Sequence, residues 1–480
     1  MTGHAAVWTR GGWKNGAVTT RRPRASTTLA SFDEPLETPD QRSAAGKALR
    51  ASTPRTSHHE WAPADDRVDP VDRLIESNRS RLPDLVPLRY SRMAASPFAF
   101  LRGSALVMAH DLATTPTSGL QVRLCGDAHI ANFGVFASPE RSLVFDLNDF
   151  DEAAPGPFEW DVKRLAASIE VAARENGLSP SQARGVVVRA IGTYCEWMAT
   201  YAEMTHLDVW YAKLDLTELM NMVQPSNAVR RRTEATMRKA TSKNHLKALD
   251  KLTEEVDGRY RFIDDPPIVQ RIEGDELRER LEHLLRGYRM SLSADRQALF
   301  DRYRFVDFAR KVVGVGSVGT RCWIALLQGP NGGPLFLQVK EACAAAPQLA
   351  LGVNTKQHQG QRVVEGQRML QAASDVLLGW GTDPTTGIHY FVRQLWDAKG
   401  SIDVATMRPD GFARYAQLCG RALARAHART GDSVTISGYL GTTNRFPEAI
   451  AAFASAYADQ TVSDHAALLA ALADGTITGM

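Results

Sequence analysis

The sequence predicts an α+β fold of two lobes, one largely helical and one built of strands, and three stretches carry that reading. The first is Leu124-Cys125-Gly126-Asp127-Ala128-His129-Ile130-Ala131-Asn132 with the later Leu143-Val144-Phe145-Asp146-Leu147-Asn148-Asp149-Phe150-Asp151, a loop and a hairpin ending in acidic residues. The second is Gly314-Val315-Gly316-Ser317-Val318-Gly319-Thr320-Arg321, which runs into strand-like text at 322–327 and 335–340. Between them, from 161 to about 310, the pattern is mainly helical. Leu165, Ile169 and Ala172 share one face there, and Val187, Ile191 and Tyr194 share another.

In the hairpin, residues 133–136 supply a short strand, Ala137-Ser138-Pro139-Glu140-Arg141-Ser142 the turn, and 143–147 the second strand. This brings Asp127, Asn132 and a later Asp to one end. Phosphoryl transfer needs such a set: one Asp orients the attacking hydroxyl, while an Asn and a second Asp hold magnesium on the nucleotide phosphates. Hard oxygen ligands suit magnesium, which binds one or two carboxylates together with substrate phosphates and water. Asp127, Asn132 and Asp149 fit these roles. Asp146 also lies at an admissible hairpin length. Asp149 is favoured because Asp149-Phe150-Asp151 resembles an Asp-Phe-Gly motif and because Pro157 and then Asp161, opening a helix, follow it. Each half alone reads more readily as an ordinary Gly-Asp turn or a solvated strand end; the two together, at compatible spacing, favour the functional reading.

The glycine pattern is weak alone, because dinucleotide-binding folds share it. Those folds open a helix after the glycines, whereas here a strand, the turn Gly329-Pro330-Asn331-Gly332-Gly333-Pro334 and a strand ending in Lys340 follow, which is the kinase arrangement. Backbone at Gly314, Gly316, Ser317 and Gly319 would approach the phosphates, and Lys340 would neutralise the inner ones. Glu365, in a helix-like run at 362–373, is the expected partner of Lys340, with Glu341 as rival. Arg393, on a buried strand at 390–395 leading to a hinge, is assigned to the nucleotide. Without the upstream motifs, Lys340 would read as a snorkelling edge-strand lysine.

Kinases place the glycine loop before the catalytic loop, and this chain places it after. The predicted fold is therefore protein-kinase-like, two-lobed and circularly permuted, with a large helical C-lobe and an amphipathic helix at 412–429 beneath the catalytic loop. Permutation keeps the packing where termini lie close on the surface. The expected division is a disordered basic arm at 1–60, a catalytic-loop and helical lobe at 61–300, a glycine-loop β lobe at 301–400 and C-terminal helices at 401–480.

Ser96-Pro97-Phe98-Ala99-Phe100-Leu101-Arg102-Gly103, the 126–134 and 145–164 motifs and the glycine loop with Lys340 together resemble the bacterial family catalogued as domain of unknown function 2252, over roughly 75 to 480. The resemblance implies a protein-kinase-like superfamily fold and no known substrate. Aminoglycoside kinases are the familiar analogues of the catalytic loop. They usually carry a His before the Gly-Asp pair, where this chain has Cys125.

At 480 residues and 44% hydrophobic, the chain can bury one large two-lobed core or two domains. A formal charge of +3, drawn largely from the N-terminal arm with its Arg21-Arg22-Pro23-Arg24, gives no reason to expect specific nucleic-acid binding. The five scattered cysteines lack zinc-ligand spacing and suggest a reducing cytoplasm. No run approaches the length of a membrane-spanning helix, so no membrane insertion is expected. Trp197, Met198, Tyr201, Trp210 and Tyr211 read as core packing ahead of a pocket wall. The basic stretch from Arg230-Arg231-Arg232 to Lys251 reads as a solvated helix face ahead of an anion clamp. Arg102, alone in an apolar segment, needs a carboxylate or phosphate partner.

The expected activity is an ATP- and magnesium-dependent phosphotransferase acting on an unidentified hydroxyl acceptor, small molecule or protein. The alternatives are transfer of AMP to a protein on the same fold, or non-catalytic nucleotide binding. The intact set Asp127, Asn132, Asp149 and Lys340 argues against the last.

Overall fold

Helix Phe158–Glu175 is buried along nearly its whole length, charged residues included, because two long helices cover it. One is Pro180–Ala202, started by a Ser179 and Gln182 capping box with Pro180 in its first turn. The other is Arg445–Ala473. Helix Pro409–Thr430 packs on Pro180–Ala202 so closely that a Cβ at Gly420 would lie 2.3 Å from the Ala190 carbonyl oxygen. Val187, Ile191 and Tyr194 are buried in this core, as are Leu165, Ile169 and Ala172. The computed structural model describes residues 36–216 and 245–480, apart from 272–273, 354–355, 396–399 and 402. The basic stretch beginning at Arg230 therefore lies mostly outside the described residues.

The strands run in chain order as β1 Gln121–Leu124, β2 Phe133–Ala137, β3 Leu143–Leu147, β4 Ala154–Pro157, β5 Thr253–Val256, β6 Arg259–Phe262, β7 Val269–Arg271, β8 Arg304–Lys311, β9 Cys322–Gln328, β10 Pro334–Glu341, β11 Gly379–Thr382, β12 His389–Gln394 and β13 Gly400–Ser401. Six form one antiparallel sheet in the order β11-β12-β10-β9-β8-β7. β13, which follows that sheet in sequence, pairs with β2 of the hairpin (Gly400 opposite Val135), so the later chain returns to the earlier. β2 and β3 pair with Phe133 opposite Leu147 and Val135 opposite Phe145. The ring of Phe145 packs on Tyr415, whose hydroxyl donates to the carbonyls of Ile130 (3.1 Å) and Phe133 (3.0 Å). Helix Pro409–Thr430 thus lies beneath the loop at 125–132.

The chain is mixed helix and sheet, an α+β protein. Among the described residues no helix is long and apolar enough to cross a membrane. Two boundary expectations need correction. Residues 245–300 were assigned to the helical lobe, yet they pack on the six-stranded sheet: helix Asp275–Met290 lays Leu281, Leu284, Leu285 and Tyr288 onto it, at the i, i+3, i+4, i+7 spacing of one apolar stripe. Gly379 and Gly381 of β11 admit the helix, since a Cβ at Gly381 would lie 2.9 Å from the Leu284 carbonyl oxygen. Residues 39–60, expected to be disordered, are ordered. Helix Pro39–Ala48 crosses helix Ser433–Leu440 at Gly46, where a Cβ would lie 2.1 Å from the Thr435 carbonyl oxygen, and Arg50 and Arg55 donate to the carbonyls of Tyr439 (2.9 Å) and Leu440 (2.6 Å) at that helix's end. Of the aromatic stretch, Met198 and Tyr201 are buried but Trp210 and Tyr211 are exposed; the Arg429 guanidinium lies 3.9 Å from the Trp210 ring.

The central helix also buries Lys163, whose Nζ has no hydrogen-bond partner and sits 5.1 Å from the Phe453 ring. Burial pushes its ammonium down to about 7, only partly opposed by Glu159, and His58 across the interface is itself held neutral by burial. The unfolded chain holds the Lys163 proton up to the ordinary lysine range, so between about 7 and that range it binds more protons than the folded state, and stability rises with pH there. Lys163→Met is expected to raise the denaturation midpoint at pH 7 and to remove a slope of at most about 1.4 kcal/mol per pH unit above it. Denaturation curves from pH 7 to 10 check this; an unchanged slope in the variant contradicts it.

Candidate active site

One stripe of the central helix builds the loop at 125–132. Asp161, Arg164 and Ser168 stand at i, i+3 and i+7 and so face the same way. The Asp161 carboxylate accepts from the backbone amides of Cys125 (2.6 Å) and Gly126 (2.9 Å), Arg164 holds the Asp127 carboxylate (Nε to Oδ1 2.8 Å), and Ser168 Oγ accepts from the Ile130 amide (2.8 Å). His427 Nε2 lies 3.3 Å from Asp161 behind the loop. Gly126 is required by contact as well as conformation. Its φ is +80°, and a Cβ there would sit 1.9 Å from the Glu152 carbonyl oxygen, where the loop crosses the acidic segment.

Asp127 keeps 21% of its side chain exposed, with Oδ2 3.7 Å from His129 Nε2. Burial drives His129 down to about 4, so its ring is neutral near pH 7. Asn132 spends its amide nitrogen on the carbonyls of Asp127 and Asp149, each at 3.0 Å, which leaves its Oδ1 as the atom for a metal. Asp149 is 41% exposed at the end of the hairpin. Asp127, Asn132 and Asp149 line one cleft of about 890 Å³, together with Asp151, Glu152 and the glycine loop at Gly314, Gly316 and Ser317.

Lys340 reaches this place from β10, the third strand counted from the one that enters the glycine loop. Its Nζ is buried, lies 3.6 Å from Asp149 Oδ2 and contacts Asp151 Oδ2 more closely. Burial works against its charge, but Asp149 and Asp151 outweigh it and the ammonium titrates above its usual range. Burial and the neighbouring Asp149 hold Asp151 above the ordinary carboxylate range, and burial pushes Glu152 up to about 6. The glycine loop is pinned from outside: Leu82 N donates to the Gly319 carbonyl (2.8 Å), Arg81 to Val318 (2.6 Å) and Arg92 to Gly314 (2.6 Å). Gly319, at φ +89°, lies against Arg81.

The remaining assignments fall elsewhere. Asp146 is sealed beneath the hairpin, both oxygens bound by Arg425 (2.7 and 2.8 Å), one also by Leu147 N and the other by Ala372 N; it does not face the cleft. Glu365 does not meet Lys340. It accepts from Gln357 (2.8 Å) and Gln361 (2.7 Å), because helix Gln359–Leu370 docks on the acidic segment through Arg362, one turn earlier. That buried guanidinium donates to the carbonyls of Ala153 (2.6 Å), Asp151 (2.7 Å) and Cys343 (2.7 Å), while Gly366 lets the helix close on Ala153. Glu341, the rival partner, pairs with Arg321 on the other side of the strand. Arg393 binds Gln338 (3.0 Å) and the Asn148 carbonyl (3.4 Å), and it lines a smaller recess beside Phe136.

Sequence reading missed Arg164, Ser168 and Arg362 as elements of the site; the i, i+3, i+7 stripe from Asp161 was the available signal. For magnesium the donor set fits in kind. Asp149, Asp151 and Asn132 offer hard oxygens, and Asp151 Oδ1 is buried with no hydrogen-bond partner. Among the described residues no group of three or more His, Cys, Asp or Glu could hold a metal by itself, in keeping with an ion that takes its remaining ligands from phosphates and water.

Fold and site together define an α+β protein with a cleft lined by Asp127, Asn132, Asp149 and a glycine loop. The chain belongs to the family described as "Uncharacterized protein conserved in bacteria (DUF2252)", whose model matches residues 81–471. No curated protein and no solved structure matches it.

Proposed function

We propose that the protein is an ATP- and magnesium-dependent phosphotransferase of protein-kinase-like, circularly permuted fold. The observation that carries the reading is the meeting of two motifs remote in sequence. Asp127, Asn132 and Asp149 line one cleft with the Gly314–Gly319 turn, and Lys340, on the third strand as in kinases, reaches Asp149. Asp127 accepts the acceptor's hydroxyl proton, and the freed oxygen bonds to the γ-phosphorus as the bond from that phosphorus to the β,γ-bridging oxygen breaks. ADP leaves with that electron pair. Lys340 neutralises inner phosphate charge, the glycine-loop amides face the phosphates, and Arg164 fixes the Asp127 carboxylate in the attack geometry. Asn132 and Asp149 would hold magnesium, which would neutralise charge on the phosphates. Five unpaired cysteines fit a reducing, cytoplasmic setting.

Millimolar magnesium-ATP is expected to raise the melting temperature by mass action, and γ-labelled but not α-labelled phosphate is expected to move to an acceptor. Label from the α position would assign AMP transfer instead. A melting curve unmoved by magnesium-ATP, together with no heat of binding, contradicts the reading.

A further inference from the structure

The cleft that holds Asp127 is also lined by cations, and these differ in how they are used. Arg81 and Arg89 are spent on the protein itself: Arg81 donates to the carbonyls of Ser77 and Val318, and Arg89 to Asn78 and to the Gly103 carbonyl. Arg164 is committed to Asp127 and Arg321 to Glu341. Arg102 is different. It lines the cleft, its Nε is buried without a hydrogen-bond partner, and its guanidinium lies 6.0 Å from the Phe98 ring. The charge acting on it is Asp127. Its backbone carbonyl lies beside the glycine loop, where a Cβ at Gly316 would come within 3.0 Å of it, so Arg102 stands between that loop and Asp127. His129 Nδ1, beside Asp127, is likewise buried without a partner. A buried guanidinium is costly unless a charge or acceptor meets it.

Helices Pro70–Asn78 and Ala105–Ala113 line the cleft with Leu74, Ser77 and Leu106, and the cleft of about 890 Å³ is of small-molecule dimensions. We infer that the acceptor is a small hydroxyl compound carrying an anionic group, phosphate, sulfate or carboxylate, which Arg102 binds while the hydroxyl meets Asp127. This rests on the phosphotransferase reading and narrows its acceptor from any hydroxyl to an acidic small molecule. Arg79, exposed at the mouth, adds positive charge along the entry.

The test uses the full chain saturated with magnesium and a non-hydrolysable ATP analogue, so that the phosphate chain of the nucleotide fills the glycine-loop end. Inorganic phosphate is then titrated, with potassium chloride at equal ionic strength as the control and melting temperature and calorimetry as readouts. Wild type is expected to bind phosphate, Arg102→Gln to bind it about ten- to a hundredfold more weakly, and Arg102→Lys to recover part of that loss, with the affinity for the analogue unchanged in all three. Equal phosphate binding by wild type and Arg102→Gln overturns the inference, as does wild type that binds no phosphate. Arg102→Gln that loses the ATP analogue instead also overturns it, assigning Arg102 to the nucleotide. Failure of the analogue to bind wild type is a separate outcome, which removes the phosphotransferase reading itself.

Discussion

Asp127→Ala is expected to lower turnover by about 10²–10⁴-fold, the range for loss of a positioned proton acceptor, while magnesium-ATP affinity stays within about twofold of wild type. The asymmetry follows from the geometry. In the proposed reaction Asp127, held by Arg164, meets the acceptor, whereas Asn132, Asp149, Lys340 and the glycine loop hold the phosphates. Because the alanine variant leaves the Arg164 guanidinium, 3% exposed, without its carboxylate, Asp127→Asn serves as a second variant that keeps a neutral acceptor in place. Asp149→Ala is expected to behave differently: it removes a metal ligand and one of the two carboxylates that keep Lys340 charged, so magnesium-dependent nucleotide binding weakens together with turnover. Calorimetric titration of magnesium-ATP into each variant, paired with labelled-product assays, separates the roles. Full turnover in Asp127→Asn removes the catalytic assignment, and wild-type binding by Asp149→Ala removes the metal assignment.

The hairpin, the glycine loop with its following strands, and the helix under the catalytic loop were legible because each is local. Period-2 runs bounded by turn residues, and a glycine cluster ahead of a strand ending in lysine, are visible in consecutive residues. What was not legible depends on which remote surface a residue meets. Glu365 and Arg362 lie on the same helix, and only the approach of that helix to Ala153 decides that Arg362, not Glu365, reaches the acidic segment. Similarly, the stripe of Leu281, Leu284, Leu285 and Tyr288 announces an amphipathic helix without saying whether its partner is the sheet or the helical lobe. The arm failed for another reason. Residues 39–60 look disordered by composition, but their order comes from arginines donating to helix-end carbonyls and from a glycine at a helix crossing, contacts that hydrophobic content does not register. Asp146 and Asp149 were inseparable by hairpin length. Strand alternation and the position of Arg425 separate them, since Asp146 falls within β3 and Asp149 just beyond its end.

That separation leads to the largest expected effect on stability. Arg425 is 0% and Asp146 1% exposed, and a single guanidinium nitrogen of Arg425 contacts both carboxylate oxygens as well as the Leu370 carbonyl at 2.6 Å. Its Nε and other terminal nitrogen have no hydrogen-bond partner, so Asp146 supplies nearly all the compensation this cation receives. Asp146→Ala leaves a buried charge uncompensated and strips the acceptor from the Leu147 and Ala372 amides; a loss of about 3–5 kcal/mol is expected, typical of breaking a buried ion pair from one side. Asp146→Leu combined with Arg425→Met removes both charges and is expected to recover much of that loss, which urea denaturation of the single and double variants measures. Magnesium-ATP affinity per folded molecule should stay at the wild-type value in the double variant, because neither residue faces the cleft. A single variant of wild-type stability that nonetheless loses magnesium-dependent binding would reverse the assignment and make Asp146, rather than Asp149, the metal ligand.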